Sequence, residues 1–282
     1  MPASAPASPL PLHQALPDLA RWTAAFRSAE IPVLADTADA LELMRANEDA
    51  VDANRLGELI GTDPLMTLKV LAYAATHRSE RLLTDAETVT AALVLMGITP
   101  FFREFGPQPT VEDTFASQPE VLDGLQRVLR RSERAARYAL AFAVHRLDPD
   151  AAVIHSAALL HDFAEMLLWI HAPALALEIQ RRLRADSSLR SADAQRAVLN
   201  IELNELEQAL MQAWRLPDLL RHITDDKRAI DPQVLAVRLA IRLARHTAHG
   251  WDNAAIPDDL RDIGELLNLA PNHVEALARK YD

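Results

Sequence analysis

The sequence predicts an all-α protein, and three observations carry that expectation. Only 7 of its 282 residues are glycine, where ordinary usage would give ~20, so tight hairpins and glycine-rich phosphate loops are scarce. Half of the residues are hydrophobic and 5% aromatic, a balance suited to helices packed through alanine and leucine. No segment shows the period-two alternation of a half-buried strand. Instead, proline recurs near the first turn of apolar segments with a polar residue before it. Asp63-Pro64, Thr99-Pro100, Gln118-Pro119, Asp148-Pro149 and Asp231-Pro232 carry this signature.

Residues 1–17 hold five of the 17 prolines and no Asp, Glu, Lys or Arg, the composition of a disordered low-complexity leader. From Asp18 the pattern predicts helices near 18–28, 36–46, 52–61, 64–76, 86–96 and 99–105, with Gly97 placed as a left-handed C-cap. Residues 106–117 contain Gly106, Pro107 and Pro109 and are read as a linker between an N-terminal helical subdomain (18–105) and a second one (118–282). The neighbouring Phe101, Phe102, Phe105, Val111 and Phe115 leave two readings of that linker open. It is a mobile connection beside a partner-binding cleft, or a segment that these side chains anchor to the core. Further helices are expected near 119–146, 149–171, 173–186, 191–200, 202–214, 217–225, 231–249, 257–268 and 271–281, with Gly250 as a second C-cap.

Lys and Arg number 29 against 40 Asp and Glu, for a formal charge of −11. That balance opposes a wide nucleic-acid footprint, which needs a basic face. Cysteine is absent, which removes disulfides, thiolate metal sites and cysteine nucleophiles. The chain opens without the charged and apolar regions of a signal peptide, and Ala91–Phe102 is shorter than the ~20 apolar residues that span a bilayer. The expectation is a cytoplasmic protein without a membrane partner.

The segment Ala151–Ile170 is apolar on nearly every face, as expected of a central buried helix, yet it carries His155, His161, Asp162 and Glu165. Buried polar groups must find partners, so chemistry or deliberate hydrogen bonding belongs there. The run Ala158-Leu159-Leu160-His161-Asp162-Phe163 resembles the His-Asp signature of HD metal phosphohydrolases. Ile31-Pro32-Val33-Leu34, Leu59-Ile60-Gly61-Thr62-Asp63-Pro64, Leu68-Lys69-Val70-Leu71, Ala91 to Gly97 and Ala213-Trp214-Arg215-Leu216-Pro217 extend the likeness. In order and spacing these segments resemble the HDOD domain, a bacterial signalling relative of HD phosphodiesterases, over about residues 30–240.

The resemblance implies an HD-like multi-helix bundle and an ancestral metal site built from a first histidine, the His-Asp pair and a distal aspartate. His161 and Asp162 match the pair. The first-histidine position falls on Arg131, or on Arg130 with an offset of one, and the distal aspartate falls near Ile241. The lysine that often follows the pair is replaced by Glu165. An arginine has no lone pair and stays charged, so the expected outcome is a metal-free remnant in which Arg131 pairs with Asp162, without catalysis or cofactor. A rebuilt metal site is the competing reading, since His161 and Glu165 lie one helical turn apart and His155 seven residues from Asp162.

Arg127, Arg130, Arg131, Arg134 and Arg137 form a basic stripe at ~100° per residue. It is either a seat for an anionic, nucleotide-type ligand or a solvated face paired with carboxylates. Arg238, Arg242 and Arg245 with His249 pose the same choice. His222, His246 and His249 are expected at helix ends, and Trp214 as core packing at a helix stop. The functional expectation is a non-catalytic signal-transduction module that binds a signalling partner protein or an anionic ligand. A metal-dependent phosphohydrolase and a helical protein-interaction scaffold are the alternatives.

Overall fold

The structure is a computed structural model and describes residues 11–77, 86–228 and 230–282. Among the described residues there is no strand; the one β-bridge is an isolated parallel pairing of Val33 with Thr110. The helices are α1 (Leu19–Arg27), α2 (Ala35–Arg45), α3 (Ala53–Ile60), α4 (Pro64–Thr76), α5 (Val89–Met96), α6 (Ile98–Glu104), α7 (Val111–Thr114) and α8 (Pro119–His145). There follow α9 (Ala151–Leu160), α10 (Phe163–His171), α11 (Pro173–Ala185), α12 (Ser191–Leu199), α13 (Leu203–Ala213), α14 (Asp218–Ile223), α15 (Pro232–His246), α16 (Ile256–Leu267) and α17 (Pro271–Lys280).

Capping chemistry places several of these boundaries. Asp63 accepts the Leu65 and Met66 amides at the head of α4, and Asp231 accepts that of Gln233 at the head of α15, each with proline in the first turn. Asp148-Pro149 behaves differently. Leu147 turns the chain at φ +56°, the Asp148 carboxylate accepts the Asp150 N–H, and α9 starts only at Ala151. Gly97 is the C-cap of α5 and takes positive φ, +86°, with an extended ψ of 151°. The reading of Gly250 as a C-cap requires correction: α15 ends at His246 with Thr247 as its cap, and Gly250 takes its positive φ in the turn beyond.

The long helix α8 packs chiefly on α9 and α15. The apolar run Ala151–His171 is long enough to cross a membrane, and two thirds of it (67%) is buried inside the fold. The sequence reading of one continuous helix there requires correction, because a turn at His161–Asp162 separates α9 from α10. The N-terminal end is tied to the C-terminal half. α1 packs on α13, Trp22 Nε1–H donates to the Leu199 carbonyl at 2.9 Å, and Trp214 Nε1–H donates to that of Arg27 at 3.0 Å.

Two further expectations change. Residues 1–10 of the leader lie outside the described residues, but 11–17 are held in place. The Leu12 N–H donates to His171 O at 2.7 Å, the Asn200 amide donates to Leu16 O at 3.1 Å, and Leu12, Ala15 and Leu16 pack on the core. Proline bars a helix there but does not prevent those side chains from leaving water.

The segment 106–117 is also packed. Val33 donates to Pro109 O and Val111 donates to Val33 O, both at 2.9 Å, and Lys69 Nζ bridges Gln108 Oε1 and the Ile31 carbonyl. Phe101, Phe102, Phe105, Val111 and Phe115 are all buried. This is the anchored alternative rather than the mobile one. Limited proteolysis is therefore expected to spare residues 106–117 as well as it spares α9, and early cleavage there would contradict the packing.

Candidate functional site

Three helices and one 3-10 turn converge on the His-Asp pair. α8 presents Arg131, the α9–α10 turn presents His161 and Asp162, and α15 presents Arg245. Glu207 of α13 and Asp226, in a short 3-10 turn after α14, close the cluster. Asp162 occupies the N-cap position of α10, and its carbonyl accepts the Glu165 and Met166 amides. An aspartate there usually turns its carboxylate onto the helix amides. Here it makes no such bond, because arginines claim it.

Arg131 Nε and Nη2 both reach Asp162 Oδ2, at 2.8 and 2.7 Å, and Nη2 also reaches Glu165 Oε2 at 2.7 Å. Arg245 Nη2 meets Asp162 Oδ1 at 3.2 Å. His161 Nδ1 faces the same Oδ1 at 3.3 Å, and its Nε2 faces Asp226 Oδ1 at 3.4 Å. Two ring nitrogens facing two carboxylates suit an imidazolium that donates from both sides. Of the two candidate arginines it is Arg131 that contacts the pair, whereas Arg130 is exposed.

The charges follow from this wiring. Burial would push the Asp162 carboxyl up, but Arg131 first, then Arg245 and His161, hold it well below the usual carboxylate range. Burial likewise disfavours a charged His161, yet its bonds to Asp162 and Asp226 and the field of Glu207 hold the ring up to about 10. Glu207 is buried, and desolvation pushes its carboxyl well above the ordinary value despite His161 nearby.

The donor set does not fit a metal ion. Both Asp162 oxygens are engaged by guanidinium groups, both ring nitrogens of His161 face carboxylates, and Ile241 is an apolar side chain buried in α15. Among the described residues no group of three His, Asp or Glu side chains is arranged to hold a metal. The competing site of His161, Glu165 and His155 is not assembled either: Glu165 is turned onto Arg131, and no hydrogen bond joins His155 to the cluster.

The basic stripe on α8 divides. Arg127, Arg130, Arg131 and Arg134 line one cleft of about 670 Å³. Arg137 leaves it to donate to the Tyr281 carbonyl at 3.0 Å. The second stripe divides as well. Arg238 approaches Asp226 and Arg242 pairs with Asp259 and Asp262, a solvated face with carboxylate partners, whereas Arg245 and His249 border the cleft. Gly124 permits the close approach of α8 to one wall, since a Cβ there would fall 2.3 Å from the Trp169 ring.

A family model for the HDOD domain matches residues 31–230. The chain belongs to the HDOD family. Among solved structures, the HDOD chain is similar to the MmoQ response regulator of Methylococcus capsulatus str. Bath, with a TM-score of 0.68 at 18% identity over 89% of this chain and 99% of that one. It is similar also to a virulence factor of Campylobacter jejuni subsp. jejuni, with a TM-score of 0.64 at 16% identity over 94% and 100% of the two chains. At such identities the likeness is one of fold. No curated relative matches the chain.

Proposed function

We propose that this HDOD protein works in cytoplasmic signal transduction by binding, not by hydrolysis, and that its counterpart is a signalling protein or an anionic, nucleotide-type ligand. One observation carries the reading: the Arg131 guanidinium lies on Asp162 and Glu165, where the ancestral chemistry needs a metal. A phosphohydrolase requires a metal-activated water or an equivalent nucleophile, and arginine can supply neither. The fold shared with a protein named as a response regulator agrees with a signalling role. The division into subdomains at 106–117 belongs to the same proposal, with α8 onward as the binding half.

The test is turnover. Purified protein with Mn²⁺ and bis(p-nitrophenyl) phosphate is expected to release nitrophenolate no faster than buffer. Release that disappears in Asp162→Asn would restore the enzyme reading.

A further inference from the structure

We infer that the arginine-lined cleft beside the closed HD position binds a small organic phosphate, an anionic head carried on an apolar or flat body. The inference deepens the reading that this protein acts by binding. The cleft's volume, about 670 Å³, lies within the few hundred to a thousand Å³ typical of small-molecule sites. Its lining is of two kinds. Val128, Leu168, Trp169, Ile179 and Leu183 give an apolar wall, while six arginines face two carboxylates, Asp123 and Glu165. In a chain of net charge −11, that concentration of cations is opposite in sign to the molecule as a whole, and it focuses the local field on an anion.

The arginines are not equally free. Arg131 is taken up by Asp162 and Glu165, Arg127 by Asp123, and Arg134 by Asp282 and the Thr247 carbonyl. Arg130 of α8 and Arg184 of α11 are exposed, and neither has an ion pair among the described residues. Arg245 makes a single 3.2 Å contact with Asp162 and is half exposed. These three arginines line the cleft from three helices, α8, α11 and α15, and planar guanidinium groups suit the oxygens of a phosphate. The apolar wall gives the rest of such a molecule a surface to cover. An acidic helix from a partner protein would match the charge, but a groove for it must accept a helix some 10 Å across, and a pocket of this volume suits a single small molecule better.

Isothermal titration of the full chain with the four ribonucleoside diphosphates and with glucose 6-phosphate tests the assignment. At least one is expected to bind saturably below ~1 mM, with its unphosphorylated counterpart at least tenfold weaker. The double variant Arg130→Gln/Arg184→Gln, both positions being exposed, is expected to weaken binding by about tenfold or more while keeping the same unfolding midpoint. No binding by any of them at millimolar concentration overturns the inference, and so does binding that the double variant leaves unchanged. Binding confined to an acidic helical peptide overturns it in favour of a protein occupant. These failures leave the non-catalytic reading standing, which only phosphodiester turnover would remove.

Discussion

Arg131→Met is expected to destabilise the protein by about 3–5 kcal/mol, the cost of leaving one partner of a buried ion pair uncompensated. The side chains of Arg131 and Asp162 are 19% and 11% exposed, so solvent screening does not reduce this to the ~0–1 kcal/mol of a surface pair. Adding Asp162→Asn is expected to return much of the loss. Glu165, a third exposed, can be hydrated once Arg131 is gone, and Arg245 is already half exposed. Urea unfolding of the two single variants and the double variant measures the coupling, and simple additivity would mean that the pair does not interact. Arg245→Met, which removes one longer and more exposed contact, is expected to cost under about 1 kcal/mol.

The second large effect is alkaline. His161 has its folded-state value raised from 6.5 to about 10, so its contribution is complete below about pH 6.5 and is lost as pH rises through 10. A unit of separation is worth ~1.4 kcal/mol, which puts the loss on the order of a few kcal/mol. Glu207, also raised, acts in the same direction from the lower end of the range. Asp162, held low, acts oppositely: its contribution is present above about 3.8 and disappears as pH falls through its depressed value. Stability is therefore expected to be greatest in the mildly acidic range. Urea midpoints between pH 6 and 10 should fall for the native protein and change much less for His161→Gln. Equal slopes for the two would show that His161 is not held as an imidazolium.

The helices were legible because their local signals agree: Asp63-Pro64 and Asp231-Pro232 both fix a cap and a first turn, and the intervening apolar spacing supports them. The break at His161–Asp162 was not legible. No proline or glycine marks it, and what accompanies it is tertiary, two arginines from α8 and α15 drawing the Asp162 carboxylate away from the helix it caps. The Arg131–Asp162 pair could be read from the His-Asp motif together with the residue at the first-histidine position. Arg245 was harder, because the distal-aspartate position pointed to Ile241. A usable signal existed, since residue 245 lies one turn further along the same face of α15. Glu207 had one as well, a carboxylate within the apolar stripe of Leu203, Leu206, Leu210 and Met211. Asp226 had none, because its place depends on how the α14–α15 connection folds back. Residues 105–110 and 11–17 carry the same lesson: proline and glycine reported the lack of helix there correctly, although the short helix α7 (Val111–Thr114) follows, and only packing decided that these segments are fixed.

The central claim is that a guanidinium has closed the HD metal position. Calorimetric titration of the full chain with Mn²⁺, Fe²⁺ and Zn²⁺ tests it most directly. The account predicts no saturable one-to-one binding by any of the three, and tight stoichiometric binding that disappears in His161→Ala would contradict it.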